Sequence, residues 1–390
     1  MSVNDVTAGL APYPMEELAS IRAKLLEDGK KVFDFGTGDP KIPTSGFIIN
    51  ALKESIPEVS QYPSIKAHPV LLEAIEGYCS RRFNFKDNHQ LSILPSNGSK
   101  EAVFHVALSL VGRKGGRKTI LYPDPGYPVY KSSTLFAGGK PYPVALSENS
   151  AYQMEPWKLP EAVQKDTAAI WINYPHNPTG ALLDKTSLQN LIDWCERRDV
   201  VLLSDDCYTD IYNASWQHKD KLPINPLELS SHQIISFMSL SKRSGMTGYR
   251  SGFMIGDSSL MRDIQRARAN FGVATPTFIQ LASAKAWNDE QHVIERRRIF
   301  TQRLEYSHEA LTAMGFEVLK PDATFYLWCK VPGGQDDVEF CKGLAKLGVI
   351  ASPSSWLGES CNGYFRMAMV PEFSDIKESM AIISGFVKNA

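Results

Sequence analysis

Residues 234–242 have the sequence IISFMSLSK, in which the largely apolar run 234–240 is followed by a serine and a lysine. A largely apolar run of this length is typical of a strand that is covered on both faces of a sheet. In open α/β sheets, ligands bind outside the carboxyl ends of such strands, which is where Lys242 falls. We expect a lysine held there to be partly desolvated, which lowers the pKa of its amine and makes the amine nucleophilic.

Six further β-rich runs predict the other strands of the same sheet. They lie at residues 91–95, 119–122, 140–144, 168–173, 200–204 and 252–255. Helical patterns at 99–111 and 185–198 separate some of these runs, and the alternation of strand and helix is typical of βα units. The sequence therefore predicts an α/β fold whose large domain holds a mostly parallel, seven-stranded sheet between helices.

A smaller α/β unit is predicted beyond Pro276. Its helix, two strands and two further helices are expected at 289–314, 324–331, 364–370, 337–347 and 374–389. Apolar spacing at Leu18, Ile21 and Leu25 predicts a helix near the start of the chain that packs on this unit. The domain limits that we expect are an N-terminal arm and part of the small domain at 1–36, a large domain at 37–280 and a small C-terminal domain at 281–390.

The composition argues against several classes of protein. The chain has 390 residues, with 42 Lys and Arg against 43 Asp and Glu, and this balance disfavours a general nucleic-acid-binding protein. No apolar run approaches the ~20 residues of a membrane-spanning helix, and the first residues do not resemble a secretory signal. Six cysteines without a C-x-x-C pair suit free thiols in a reducing compartment. We therefore expect a cytoplasmic globular protein that binds neither nucleic acid nor membrane.

Polar residues follow two of the predicted strands. Ser99 and Lys100 open a helix directly behind Gly98, where free N–H groups and the helix dipole favour a phosphate. A serine at such a position is also a common helix cap, so this site alone decides nothing. Asn177 lies between prolines that fix its backbone and aim its amide, although an ordinary turn has the same composition.

Two aspartates follow a third predicted strand. Asp205 emerges from a buried run, where a carboxylate is costly unless a cation meets it, and Tyr208 would approach the same point. Successive strand side chains face opposite ways, so Asp205 and Asp206 are not expected to chelate one metal ion, and no metal site is predicted. We expect Asp206 at the surface. Beyond Lys242, a loop that contains Gly245 and Gly248 would bring Arg250 close to the phosphate expected at the start of the helix.

Together these residues would bind a single ligand with three groups. The ligand would carry a phosphate, a ring nitrogen that pairs with a carboxylate, and an aldehyde that reacts with the lysine. Pyridoxal 5′-phosphate (PLP) has all three groups. The segment SLSKRSGMTGYRSG at 239–252 resembles the lysine signature of class I/II aminotransferases, which have the fold type I architecture. The order and spacing of NPTG at 177–180 and of Asp205-x-x-Tyr208 match the same family, and the resemblance covers nearly the whole chain.

The resemblance implies a role for each of these side chains. Lys242 would bind the cofactor aldehyde covalently and later move the α-proton of the substrate, while Asp205 would pair with the pyridine nitrogen. Asn177 and Tyr208 would hydrogen-bond the phenolic oxygen of the ring. The phosphate would be held by the backbone of Ser99 and Lys100 and by Ser239 and Arg250. Tyr127 would stack on the ring face, and Arg366 would grip the substrate α-carboxylate, with Gly38 close to it.

The resemblance also implies a homodimer. Tyr62 matches a tyrosine that reaches the phosphate of the neighbouring subunit, which would make the dimer necessary for activity. Two residues depart from the family pattern, namely Ser251, where an aliphatic residue is usual, and Asp206, where glutamate is common. Neither departure removes a catalytic group.

The implied reaction moves an amino group between an L-amino acid and a 2-oxo acid by a ping-pong mechanism. Residues 239–253 are similar to the diaminopimelate branch, particularly to N-succinyldiaminopimelate aminotransferases of bacterial lysine synthesis. This similarity predicts N-succinyl-LL-diaminopimelate and 2-oxoglutarate as substrates. Aspartate, alanine or aromatic transamination, a PLP-dependent lyase on the same scaffold, and a non-catalytic binding protein remain alternatives.

Overall fold

The structure is a computed structural model that describes residues 3–10, 13–85, 87–216 and 222–388. Its strands are β1 (Phe33–Asp34), β2 (Leu91–Ser96), β3 (Thr119–Asp124), β4 (Lys140–Ala145), β5 (Thr167–Ile172), β6 (Val201–Asp205), β7 (Ile234–Ser239), β8 (Gly252–Asp257), β9 (Val318–Leu319), β10 (Tyr326–Lys330), β11 (Val349–Ile350), β12 (Ser352–Pro353) and β13 (Tyr364–Ala368).

The helices in the described ranges are between four and 23 residues long. They are α1 (Asp5–Ala8), α2 (Pro14–Glu27), α3 (Gly46–Glu54), α4 (Pro69–Arg82), α5 (Ser99–Leu110), α6 (Arg113–Gly116), α7 (Val129–Phe136), α8 (Glu161–Asp166), α9 (Lys185–Arg198), α10 (Leu240–Arg243), α11 (Ser258–Arg268), α12 (Thr277–Asn288), α13 (Gln291–Ala313), α14 (Asp337–Lys346) and α15 (Phe373–Lys388). Single turns of 3₁₀-helix lie at Asn88–Gln90, Glu148–Ser150, Pro156–Lys158, Pro226–Glu228, Thr247–Tyr249, Pro332–Gly334 and Ser354–Trp356.

A seven-stranded sheet forms the centre of the large unit, with the order β2-β8-β7-β6-β5-β3-β4. The strands β7, β6, β5, β3 and β4 are parallel to their neighbours in this series, whereas β8 runs antiparallel to both β2 and β7. Every β-rich run of the sequence coincides with one of these strands to within two residues. The prediction of an α/β fold with a mostly parallel sheet is confirmed.

Helices cover both faces of this sheet, which explains why its strands are apolar without alternation. Trp171 and Leu203 point to the face that packs against α5, α7 and α11. Ile172 and Leu202, their neighbours in sequence, point to the other face and pack with side chains of α4, α9 and α12. With both faces buried, the polar edge at the ends of the strands is left for ligands.

The smaller unit contains an antiparallel sheet of order β12-β13-β10-β9, and α13, α14 and α15 pack on it around Leu327 and Phe365. The start of the chain joins this unit, since β1 pairs in parallel with β11 and the side chains of Leu18 and Leu25 pack against Ile350. The helix predicted near the start of the chain therefore contacts the smaller unit as expected.

The domain limits at 1–36, 37–280 and 281–390 stay a prediction. The helix α12 begins before residue 280 and ends after it, and it packs against α3 and α4 of the large unit. None of the helices in the described ranges is long and apolar enough to cross a bilayer. All six cysteines are free thiols, as expected.

The surface position expected for Asp206 is wrong. The residue is 2 % exposed, and its carboxylate accepts hydrogen bonds from Ser204 Oγ at 2.9 Å and from Asn225 Nδ2 at 3.0 Å. Burial raises its pKa well above the usual range. The expectation failed because Asn225 and the turn after it cover the end of β6, and these residues lie too far along the chain for a local pattern to reveal them.

Candidate active site

A cleft of about 600 Å³ lies at the carboxyl edge of the large sheet, and residues of both units line it. Of the residues that the sequence places at the site, all but Ser239 and Tyr62 line this cleft. They are Gly38, Ser99, Lys100, Tyr127, Asn177, Asp205, Tyr208, Lys242, Arg250 and Arg366. Residues that are more than 300 positions apart in the chain therefore meet in one cavity.

Three neighbouring parallel strands deliver the central side chains of the cleft. The register of β6 and β7 pairs Asp205, the last residue of β6, with Phe237. Asn177 lies five residues beyond the end of β5, and Lys242 lies three residues beyond the end of β7. Because parallel strands end at the same edge of a sheet, an amide, a carboxylate and an amine are brought side by side.

Asp205 is a buried carboxylate with one oxygen engaged by a short hydrogen bond. The residue is 5 % exposed. The hydroxyl of Tyr130 donates to Asp205 Oδ2 at 2.8 Å, and the N–H of Cys207 lies 3.4 Å from Oδ1. Burial raises the pKa of Asp205, and hydrogen bonds from Cys207 and Tyr130 oppose that shift. A carboxylate in this setting is stabilised by a cation, and a protonated pyridine nitrogen fits it.

Lys242 lies in the short helix α10, which is capped by Ser239: the N–H of Ser241 donates to Ser239 Oγ at 3.1 Å. The amine of Lys242 donates to the carbonyl oxygen of Gly38. Burial lowers the pKa of Lys242 to about 8, and the carboxylate of Asp39 opposes the shift. The neutral, nucleophilic form of this amine is therefore well populated at a pH where an exposed lysine is fully charged.

The start of α5 and the side chain of Arg250 form a cradle for an anion. Ser99 is the first residue of this helix, so the N–H groups of its first turn have no partner within the helix. Gly98 has a φ of +73°, which favours glycine, and a Cβ there would also overlap the guanidinium of Arg250. Free N–H groups and a guanidinium at one point suit a phosphate. Ser241 lines the cleft, whereas Ser239 is buried as the cap of α10 and stays a prediction as a phosphate ligand.

Arg366 and Asn177 form a preassembled polar pair. Arg366 is buried on β13, and its Nη1 donates to Asn177 Oδ1 at 2.8 Å while Nη2 donates to the carbonyl of Gly36 at 2.8 Å. Its Nε makes no hydrogen bond to any described residue. Arg366 lines the cleft, and a guanidinium that is fixed in this way fits the α-carboxylate of a substrate, as the family resemblance implies.

Tyr326 is a site residue that the sequence analysis missed. Its hydroxyl lies 2.8 Å from that of Tyr208, and the guanidinium of Arg366 lies over its ring, 4.4 Å from the centroid. A Cβ at Gly38 would overlap the hydroxyl oxygen of Tyr326, so Tyr326 explains why residue 38 is a glycine. A tyrosine in a strand pattern looks like any core residue, and no signal in the sequence singles it out.

The two aromatic residues expected around the cofactor occupy different places. Tyr127 lines the cleft, and its ring makes an edge-to-face contact with Tyr130 at 5.7 Å between centroids. Tyr62 is fully exposed and does not line the cleft. Its expected contact with a neighbouring subunit involves a second chain, so that role stays a prediction.

Comparisons with known proteins give the family. The family described as aminotransferase class I and II matches residues 30–380. The chain is 34 % identical to an LL-diaminopimelate aminotransferase of Aquifex aeolicus and 32 % identical to LL-diaminopimelate aminotransferase 2 of Trichormus variabilis, each over 365 residues that cover 92 % of both proteins. The structure of an aminotransferase from Neisseria meningitidis is 30 % identical, with a TM-score of 0.88 over 98 % of this chain and 100 % of that one.

The chain belongs to the class I and II aminotransferase family and has the fold type I architecture. It is a PLP-dependent aminotransferase that acts on amino acids and 2-oxo acids.

The residues of the cleft fit PLP at three separate points: the anion cradle at Arg250, the carboxylate of Asp205 and the amine of Lys242. When bound, PLP supplies a protonated ring that draws electrons from the α-carbon of the substrate. We expect Asp205 to hold the proton on the ring nitrogen and Lys242 to take the proton from the α-carbon and return it. Asn177 and Arg366 would orient the α-carboxylate.

The lowered pKa of Lys242 predicts the pH dependence of cofactor capture. The rate at which apoenzyme binds PLP covalently should rise from about pH 7 to about pH 9, with a midpoint near the pKa of about 8, as the amine loses its proton. Because Asp39 raises the pKa of Lys242, the D39N variant should have a lower midpoint. Stopped-flow absorbance after mixing with PLP measures this rate. A midpoint at about 10, as for an exposed lysine, or an upward shift in D39N contradicts the assignment.

The contact between Gly38 and Tyr326 predicts the behaviour of a double variant. In G38A the new Cβ overlaps the tyrosine hydroxyl, so one of the two must move. We expect kcat/KM for amino donors to fall by roughly 10- to 100-fold. Y326F removes the obstructing oxygen, so G38A/Y326F should be more active than G38A alone. Steady-state kinetics of the three variants test this coupling, and losses that simply add would contradict it.

Proposed function

We propose that the enzyme transfers an amino group between a diaminopimelate and 2-oxoglutarate by a ping-pong mechanism, and that LL-diaminopimelate is its amino donor. The observation that carries this proposal is the ammonium group of Lys100 in the cleft. The names of the two relatives, both LL-diaminopimelate aminotransferases, support the same substrate class. The donor leaves as an oxo acid before the acceptor enters.

Lys100 is the cation of the cleft that the cofactor and the α-carboxylate leave unused. Among the described residues that line the cleft, the cationic ones are Lys100, Lys242, Arg250 and Arg366. Lys242 is assigned to the cofactor aldehyde, Arg250 to its phosphate and Arg366 to the α-carboxylate. A second carboxylate, at the far end of the substrate, gives the side chain of Lys100 a partner.

Tyr13 holds Lys100 without neutralising it. The Nζ atom of Lys100 lies 3.3 Å from the hydroxyl of Tyr13 and 4.3 Å from the centroid of its ring. A cation–π contact orients an ammonium group but leaves its charge in place, so Lys100 stays available for a carboxylate. Tyr13 also lines the cleft, and its hydroxyl adds a polar contact for the same end of the substrate.

N-Succinyl-LL-diaminopimelate is the second candidate donor, because residues 239–253 are similar to those of enzymes that use it. It offers Lys100 the same distal carboxylate and adds one more on the succinyl group. The two donors differ at the distal nitrogen, which is positively charged in LL-diaminopimelate and a neutral amide in the succinylated compound. A direct comparison of both donors separates the two candidates.

A homodimer in the cytoplasm is part of the same proposal. The segment from residue 47 to residue 70 exposes large apolar side chains, namely Phe47, Ile56, Val59, Tyr62 and Val70. Exposed apolar surface is a common mark of a protein interface, and a partner on this segment would carry Tyr62 towards the neighbouring site. Free cysteines support a reducing compartment.

Replacing Lys100 by methionine should change donor preference. Its backbone N–H stays at the start of α5, so the phosphate cradle is kept while the ammonium group is lost. We expect kcat/KM for LL-diaminopimelate to fall about tenfold or more, as for loss of a hydrogen bond to a charged group. The value for L-alanine, which has no distal carboxylate, should not change. Half-reactions followed by cofactor absorbance give both values.

Lys131 provides the control, because it is an exposed lysine of the large unit that pairs with Glu359 outside the cleft. K131M should leave both donors unaffected. Equal losses for LL-diaminopimelate and L-alanine in K100M would reject the role of Lys100. A wild-type enzyme that reacts with neither diaminopimelate donor, but reacts with aspartate, alanine or an aromatic amino acid, would reject the substrate class.

A further inference from the structure

We propose that Tyr130 is a positioning residue that keeps a proton on the pyridine nitrogen of the bound cofactor by weakening Asp205 as a base. Tyr130 is fully buried in α7 and does not line the cleft, so it acts through Asp205. Its hydroxyl donates to Asp205 Oδ2 at 2.8 Å. The other carboxylate oxygen, Oδ1, has the longer contact of 3.4 Å with the N–H of Cys207 and is the one that would face the ring nitrogen.

The pyridine nitrogen of the cofactor and the carboxylate of Asp205 are two bases that share one proton. A proton between a pyridine nitrogen and a carboxylate stays with the stronger base. Burial strengthens Asp205 as a base, because the charged carboxylate is poorly solvated. A hydrogen bond to the charged carboxylate stabilises that form and works in the opposite direction. Without Tyr130 the balance moves towards a protonated Asp205 and a neutral ring, which accepts electrons less well.

The groups around Asp205 explain why a hydrogen bond from Tyr130 matters for its basicity. The titratable groups that influence Asp205 are Asp206 and Cys207 on its own segment and Tyr127 and Tyr130 around the start of α7. None of these groups is a cation. The backbone N–H of Cys207 lies 3.4 Å from the carboxylate and the side chain of Cys207 also hydrogen-bonds it, while the hydroxyl of Tyr130 lies closer than that N–H, at 2.8 Å.

Both partners are held in place by groups other than the hydrogen bond. The ring of Tyr130 stacks on Trp171, with 4.8 Å between centroids and 19° between planes. The amide of Asn173 donates to the backbone oxygen of Asp205 at 2.7 Å and fixes the end of β6. A phenylalanine at position 130 therefore keeps the packing and removes only the hydroxyl that faces Asp205.

The first test is the Y130F holoenzyme loaded with PLP that carries ¹⁵N in the ring. We expect the ¹⁵N signal to move from the pyridinium position towards that of neutral pyridine. With the same amino donors, kcat should fall by roughly 10- to 100-fold, as for loss of a hydrogen bond to a charged group. KM should stay unchanged, because Tyr130 does not contact the substrate.

The second test uses apoenzyme and needs no bound cofactor. Infrared titration of ¹³C-carboxyl-labelled aspartate reports the pKa of Asp205, with D205N identifying its band. Y130F should raise this pKa by about one to two units. A fluorinated tyrosine at position 130 is a stronger donor of nearly the same shape and should lower it. If Tyr130 had a purely structural role, the two variants would not shift the pKa of Asp205 in opposite directions.

Tyr122 provides the control, because it lies on β3 of the same sheet, whereas the carboxylate of Asp205 is contacted by Tyr130 and Cys207. Y122F should leave the ¹⁵N signal and the Asp205 titration unchanged. The proposal is overturned if Y130F keeps the pyridinium signal, or if the fluorinated variant leaves the titration of Asp205 where it was. Should Y130F fail to fold, the fluorinated variant still decides the question by itself.

Discussion

The parallel hydrogen bonding of β5, β6 and β7 is the constraint on which the site depends. These strands are buried on both faces, so their register is fixed by the core, and their ends reach the same edge of the sheet. Asn177, Asp205 and Lys242 are each only a few residues beyond or at such an end. The register of these strands therefore sets where the three side chains emerge from the sheet.

Burial then decides what these groups can do. It lowers the pKa of Lys242 to about 8 and so frees the amine to react, while it raises the pKa of Asp205. The second shift would work against a carboxylate that must stay charged, and the hydroxyl of Tyr130 opposes it. A second tyrosine, Tyr326, lines the cleft, where its hydroxyl contacts that of Tyr208 and leaves no space for a side chain at position 38.

Local patterns were sufficient for the fold and for most of the candidate site. Apolar runs mark buried strands, and Lys242 and Asp205 could be found by inspecting the residues that follow them. Tyr326 could not, because it reaches Tyr208 only through the packing of the small unit on the large one, and a tyrosine in a strand looks like core. The error at Asp206 has a similar origin, since Asn225, 19 residues further on, buries it. The family resemblance implied a phosphate contact for Ser239; its hydroxyl caps α10, and the contact stays a prediction.

The central claim is that the amine of Lys242 captures the cofactor aldehyde while Asp205 faces the ring nitrogen. Reduction of the holoenzyme with borohydride, followed by digestion and mass spectrometry, tests it most directly. The account predicts a single pyridoxyl group on Lys242 and none in the K242A variant. A pyridoxyl group on another lysine, or a purified protein that takes up no PLP, would contradict it.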